Sequence, residues 1–140
     1  MNDLENYIFD NVATRLRSDF PKLLVSGEYS DTPASFPCVT VVQADSAPVK
    51  SFRTDNIENL TYVMFEVNVF SNKGSGRKAE AKKIMAKVDD YLSALGFTRT
   101  MNQPIPNLAD ATIYRIIGRY TANIDRTVSG ENENYIIYQD

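Results

Sequence analysis

The stretch that decides the fold is LTYVMFEVNVFS, residues 60–71. Its apolar residues fall on alternate positions: Val63, Phe65, Val67 and Val69. Because successive side chains of a strand point to opposite faces, this alternation predicts a strand with one face in the core. The intervening positions are amphipathic, so the second face is expected to be only partly exposed to water.

Two amphipathic helices flank this strand in the sequence. Apolar residues recur every three or four positions over residues 3–18 and again over residues 77–95, which indicates one apolar stripe on each helix. Pro21 ends the first helix, and Gly96 gives the second a left-handed C-terminal stop. We expect both helices to pack on the sheet.

The remaining strands are predicted from β-branched and aromatic runs between turn residues. They cover residues 39–44, 97–103, 111–125 and 135–138, with residues 23–25 as a candidate short strand. Gly118 is expected to mark a bend or bulge in the longest of them. Residues 45–59 are polar and aperiodic, which predicts a long loop, and such loops are usually functional or mobile.

These elements predict a single α+β domain over residues 1–140. Their order is α-β-β-α-β-β-β, with a mostly antiparallel β-sheet and two α-helices packed on one face. The other face of such a sheet must be hydrated or covered by something else.

Composition narrows the function classes. Fifteen Lys and Arg against eighteen Asp and Glu give a net charge of -3, which supplies no overall attraction to nucleic acid or anionic membrane. The chain has no histidine, so the Ser-His-Asp and Cys-His catalytic arrangements and the usual zinc, copper and non-haem iron sites are excluded. Cys38, in an apolar run, is expected to be a small buried hydrophobe. No segment approaches the roughly 20 apolar residues that span a membrane.

Weak chemical motifs have simpler explanations. Residues 74–78, GSGRK, resemble a phosphate cradle at a helix start, but the glycine spacing and the missing Lys-Ser/Thr pair favour a turn into a helix. Asp89 and Asp90 are adjacent on a helix and diverge by about 100°, so they cannot chelate one ion together. We therefore assign no catalytic residue, cofactor or metal.

Charged residues in two regions are candidates for contacts with other subunits. Arg115 and Arg119 lie on one face of the longest predicted strand, with Arg99 expected nearby, and arginine beside tyrosine and isoleucine is typical of interfaces. The alternative is an open sheet face with salt bridges to Glu66 or Asp125. The long loop adds four candidates: Lys50, Arg53, Asp55 and Glu58.

Five segments together carry a family resemblance. They are FPCVTV at 36–41, YVMFEVNVFS at 62–71, LGFTR at 95–99, IYRIIGRYTA at 113–122 and YIIY at 135–138. Their order and spacing resemble the tail terminator (tail completion) proteins of long-tailed bacteriophages and prophages. The resemblance extends over about residues 4–138.

The resemblance implies a structural virion protein and not an enzyme. Subunits of that family close into a ring, usually of six, on the head-proximal end of the tail tube. The ring stops tube polymerisation and offers a docking surface to the head connector. The implied partners are further copies of the chain, the tail tube protein and a connector or neck protein, with DNA only passing through the lumen. Assembly in the bacterial host cytoplasm, without cofactor or membrane, fits this function.

Three other functions stay open on sequence grounds. The chain could be another neck component, such as a head completion or head–tail joining protein. A small-molecule-binding or nucleotide-binding α+β domain, or an enzyme without histidine, would need a deep pocket with convergent polar groups. A regulatory nucleic-acid binder would show strongly salt-dependent affinity for DNA.

Overall fold

The structure, a computed structural model, describes the backbone of residues 4–49, 53–54, 57–58, 60–108, 110–129 and 132–139, and the side chains of 4–49, 60–108 and 110–124. The elements in chain order are α1 (Glu5–Asp19), β1 (Leu24–Ser26), β2 (Cys38–Pro48), β3 (Arg53–Thr54), β4 (Ile57–Glu58), β5 (Leu60–Ser71), α2 (Arg77–Ala94), β6 (Thr98–Pro104), β7 (Tyr114–Ser129) and β8 (Asn132–Gln139).

One mixed sheet organises the molecule. Its strand order is β1-β2-β5-β7-β6, and β8 pairs with the same edge of β7 as β6, farther along the strand. Every pairing in this sheet is antiparallel except that of β1 with β2. The expected α+β class is therefore confirmed, and the candidate strand at residues 23–25 is present as β1.

Both helices pack on the same face of the sheet, as the apolar stripes predict. Four inward side chains of β5 have no exposed surface: Val63, Phe65, Val67 and Val69. They share one core with Ile8, Val12 and Leu16 of α1 and with Ile84, Val88 and Leu92 of α2. Each such side chain contributes about 1.5–3 kcal/mol through burial, so this layer holds the helices to the sheet.

The long loop predicted after residue 44 is only partly correct. β2 continues to Pro48, pairing Asp45 with Met64 and Pro48 with Thr61, and its register shifts between Gln43 and Asp45. This bulge breaks the two-residue alternation, so periodicity alone could not follow the strand further. Within the remaining connection, β3 and β4 form a two-stranded ribbon.

The two ends of β7 also differ from the prediction. The strand starts at Tyr114 instead of residue 111, because Asp110 accepts hydrogen bonds from the Thr112 amide and hydroxyl, and the Ile113 amide bonds back to the Asp110 carbonyl. These local bonds form a turn in place of the first strand residues. At its other end β7 continues to Ser129, which pairs with Asn132 of β8.

Gly118 does not mark a bulge, so that part of the prediction is wrong. It pairs in regular register with Val67 and with Asn102. The bulge lies in β6, between Arg99 and Met101. Gly96 has the predicted left-handed conformation, with φ of 100°.

Candidate interaction surface on the second face of the sheet

The second face of the sheet, opposite the helices, is covered at one end by the loop of residues 27–37. Cys38, Phe70 and Ile113 form a small buried cluster there, and Phe36 packs against it. Cys38 is 2% exposed, and this burial raises the pKa of its thiol to about 11. The thiol is therefore a buried apolar group, as expected.

Aromatic and cationic contacts hold this loop in place. The Tyr29 ring lies 6.3 Å from the Phe70 ring, and the Arg115 guanidinium lies 5.2 Å from the Tyr29 centroid and 5.7 Å from that of Phe70. Asn107, from the β6–β7 connection, donates a hydrogen bond to the Asp31 carbonyl at 3.2 Å. The two loops therefore form one layer over this part of the second face.

Beyond the loop, a hydrogen-bonded row of polar side chains crosses the open part of the second face. Arg115 Nε donates to Asn68 Oδ1 at 2.9 Å, and Asn68 Nδ2 donates to Glu66 Oε1 at 3.4 Å. Arg119 Nε completes the row with a 3.3 Å bond to Glu66 Oε2. We call Arg115, Asn68, Glu66 and Arg119 the polar row.

The exposed ion pair of the polar row orients its side chains but contributes little to the stability of the fold. The side chains of Arg119 and Glu66 are 44% and 26% exposed, and ion pairs this accessible contribute about 0–1 kcal/mol. Each Nε bond uses one of the five N–H donors of a guanidinium. Both arginines are thus held in place with further donors left for a partner. The predicted common face of Arg115 and Arg119 is confirmed. The ion pair of Arg119 with Glu66 is the feature that the alternative, an open sheet face with salt bridges, predicts, and the Asp125 side chain lies outside the described residues.

Arg99 is not near these two arginines, contrary to expectation. The bulge in β6 places it opposite Tyr120, on the helix side of the sheet, where its Nη1 lies 3.4 Å from Asp89 Oδ1 of α2. The same carboxylate oxygen accepts a 2.9 Å hydrogen bond from the Tyr120 hydroxyl. Burial, followed by this bond to Asp89, raises the pKa of Tyr120. Arg99 therefore links β6 to α2.

The four loop candidates are only partly described. Arg53 and Glu58 pair across the β3–β4 ribbon, so their backbones lie opposite each other, and their side chains lie outside the described residues. Lys50 and Asp55 lie outside them altogether.

Two grooves flank α2 on the helix side. The larger, of about 590 Å³, lies between the α1–β1 connection and the first half of α2. The other, of about 480 Å³, runs between α2 and β6 and includes Asp89, Asp90 and Arg99. Sequence analysis missed both, because a groove depends on how elements pack. Residues 74–76 form a turn into α2, as the simpler explanation of GSGRK predicts.

The described residues hold neither a candidate metal-binding cluster nor a candidate membrane-spanning helix. They contain no group of three or more Cys, Asp or Glu side chains that could hold a metal ion. Within the same residues, no helix combines the length and apolar character needed to cross a bilayer.

No protein-family model matches the chain, and no curated protein matches it either.

Proposed function

We propose that the chain is a structural protein of a phage-like tail. Copies of it close into a ring that caps the head-proximal end of the tail tube and has six subunits if it follows the family it resembles. The ring serves assembly and not catalysis. The ring ends tube polymerisation and gives the connector or neck protein a docking surface. DNA passes through its lumen, and the protein's place is in the virion.

The observation that carries this proposal is the extension of β7 and β8 beyond the body of the sheet. β5 pairs with β7 only as far as Asp125, opposite Leu60. Four further residue pairs, from Arg126 with Tyr135 to Ser129 with Asn132, continue the β7–β8 hairpin. We call residues 126–135 the β7–β8 arm. At about 3.3 Å per residue it extends roughly 13 Å past β5.

An isolated two-stranded hairpin is marginally stable in water. Among the described residues, no strand pairs with the other edge of β7 in this arm. Contact with another subunit would pair a strand edge that is otherwise open to unspecific association.

A second extension leaves the sheet at the same end. Pro48 at the end of β2 pairs with Thr61, which pairs in turn with Ile124 of β7. The β3–β4 ribbon follows Pro48 in the chain, so it belongs to the end of the sheet from which the arm extends. We call this the arm end. The sheet thus has two β-extensions at one end. Such extensions suit contacts with neighbouring subunits in a ring.

The polar row supports an inner or inter-subunit position for the second face. Its two arginines and one glutamate give that strip a positive excess of one charge, although the chain as a whole is negative. An arginine held by a neutral amide keeps its full charge for a partner carboxylate or a passing phosphate backbone.

The test measures the mass of the purified chain over a range of concentrations and its binding to tail tubes in electron micrographs. We expect a closed oligomer in solution and density at one end of each tube. Binding to head connectors without binding to tubes would instead identify a head completion or head–tail joining protein. A chain that stays monomeric at every concentration and binds neither tubes nor connectors would overturn the proposal.

A further inference from the structure

Leu108 is the most exposed large apolar side chain among the described residues. It is 97% exposed, whereas the next two, Tyr29 and Tyr7, are 46% and 42% exposed. Single exposed leucines are common on protein surfaces, so exposure alone does not indicate a contact. Two further observations indicate a contact for Leu108: its neighbours in the chain are anchored by hydrogen bonds, and a complementary groove lies elsewhere on the same chain.

Hydrogen bonds hold described residues upstream and downstream of Leu108. The neighbouring Asn107 is 4% exposed and is bonded to the Asp31 carbonyl. Upstream, the Ile105 amide donates to the Arg115 carbonyl at 3.0 Å. Downstream, Asp110 holds the turn into β7 through its bonds to Thr112. Because these neighbours are already anchored, the backbone that carries Leu108 loses less conformational entropy when the leucine binds.

The larger groove on the helix side has an apolar floor and a basic rim, and we call it the lysine-rimmed groove. Ile84 and Leu23 are 1% and 7% exposed at its base. Its remaining apolar lining comes from Phe20, Pro21, Pro37 and Ala79. Its volume of about 590 Å³ lies within the ~300–1,000 Å³ typical of sites that enclose a small ligand. It can therefore accept a leucine together with part of the loop that carries it.

The groove and the surroundings of Leu108 also carry charges of opposite sign. Three exposed lysines line the groove, Lys22, Lys73 and Lys83, and none of their amines forms an ion pair with a described residue. Two exposed carboxylates, Asp31 and Asp110, flank Leu108 in the loop layer. Hydrogen bonds from Thr112 lower the pKa of Asp110. As exposed carboxylates, Asp31 and Asp110 are negatively charged at neutral pH.

Two carboxylates, Asp19 and Glu80, also line the groove, so its three lysines leave the lining with a positive excess of one charge. Asp19 accepts a hydrogen bond from the Tyr91 hydroxyl, and Glu80 accepts one from Ser71 at 2.7 Å.

Leu108 does not fill the groove of its own subunit, since it is 97% exposed and does not line that groove. Through Asn107 it belongs to the loop layer over the second face, whereas Ala79 and Ile84 of the groove lie on the helix side. Both are at the end of the sheet opposite the arm end. A protruding residue and a groove at different places on one chain are the two unlike patches of a head-to-tail contact, the kind that closes into rings.

We propose that Leu108 of each subunit inserts into the lysine-rimmed groove of the next copy, with Asp31 and Asp110 facing the lysines. This contact deepens the proposed function, on which it rests, by naming the surfaces through which the ring closes. The arm then has its own contacts at the opposite end of the sheet.

The first test replaces the protruding side chain. Leu108→Lys removes the apolar group that fills the groove and places a further positive charge beside its three lysines, so each contact should weaken at least tenfold. Mass in solution should fall from the oligomer to the monomer at concentrations where the wild type is fully assembled. Tyr7→Ser, which removes an exposed aromatic side chain from α1, should leave the mass unchanged. Circular dichroism checks that both variants are folded.

The second test traps the contact. In the double variant Leu108→Cys with Ala79→Cys, mild oxidation should link successive subunits into covalent oligomers on a non-reducing gel. The native Cys38 thiol is buried, so it should not form disulfides that compete with the engineered one. The matched control pairs Leu108→Cys with Ala86→Cys, an exposed alanine of α2 that lines the other groove, and should give no such series.

The outcomes separate the two proposals. If the wild type forms rings and Leu108→Lys forms them equally well, the leucine contact is wrong and the ring stands. Variant rings that form normally but no longer bind tubes would place Leu108 against the tube protein, which also overturns the contact between copies. A wild-type chain that never assembles removes the ring and this contact together.

Discussion

At the scale of single residues, Gly118 shows how closely the sheet and α2 approach. It lies in the middle of β7, and a Cβ built on it would stand 3.2 Å from Tyr120 Cε2 and 3.4 Å from both Met85 Sδ and Met85 Cε. Tyr120 is fully buried and Met85 is 2% exposed, so neither side chain can move aside easily. Glycine is present here because the space above it is already occupied.

We expect Gly118→Ala to lower the free energy of unfolding by about 1–3 kcal/mol, since overpacking a dense core outweighs the small gain from removing a strand glycine. Urea denaturation of the purified variant measures this. Gly74→Ala is the matched control, because nothing lies within 4 Å of the corresponding Cβ. Equal stability of the two variants would show that Met85 and Tyr120 have room to repack.

At the scale of elements, β5 and β7 carry different chemistry on their two faces. Toward the helices they present apolar side chains with no more than 4% exposure, such as Val67 and Ile116. On the other face they present the polar row. Its centre, Asn68, is 1% exposed, while Arg119 at its edge is largely accessible. The same row therefore includes a buried amide that matters for folding and an outer arginine that is available to a partner.

Asn68→Ala should destabilise the chain by about 1–3 kcal/mol, because it removes the acceptor of Arg115 and leaves polar atoms of the row without their partner. Arg119→Ala should change the free energy of unfolding by about 1 kcal/mol or less, as for other exposed ion pairs. Chemical denaturation of both variants checks the contrast. A large loss of stability in Arg119→Ala with none in Asn68→Ala would contradict this prediction, because the exposed arginine and not the buried amide would then hold the row together.

At the scale of the whole molecule, the features outside the core lie at opposite ends of the sheet. The β7–β8 arm and the β3–β4 ribbon leave the arm end, and Leu108 and the lysine-rimmed groove lie at the other. The helices cover one face and the loop layer part of the second. Such a subunit offers contacts at both ends of its sheet, which is what a ring stacked between a tube and a connector requires.

Replacing residues 127–134 with Asn-Gly should separate folding from assembly. The remaining pair, Arg126 with Tyr135, would be closed by a two-residue turn of the type that Asn-Gly favours. We expect a folded chain whose assembly or tube binding is lost, measured by light scattering and electron microscopy. Lys87→Ala, an exposed change on α2, is the control. Normal rings on normal tubes without the arm would contradict its role in contacts.

Prediction from sequence succeeded where one residue's environment follows from its neighbours in the chain. The alternation in β5 identified its core face, the stripes of α1 and α2 identified theirs, and Gly96 ended a helix as expected. It failed where a bulge changed the phase of a strand, as with Arg99 in β6 and with the second half of β2. The groove joins residues far apart in the chain, so no local pattern could reveal it. Of the polar row, the sequence indicated Arg115, Arg119 and a salt bridge to Glu66, but not the link through Asn68.

The amino-acid sequence by itself determined the α+β class, the positions of the long elements and the division of the sheet into an apolar and an amphipathic face. These follow from periodicity, which is a local property of the chain. Only the tertiary structure decided that Arg99 joins Asp89 and not Arg115, that β7 and β8 extend beyond the core, and that Leu108 stands apart from a groove that would suit it. Those features depend on register and packing between distant segments, which side-chain period does not encode.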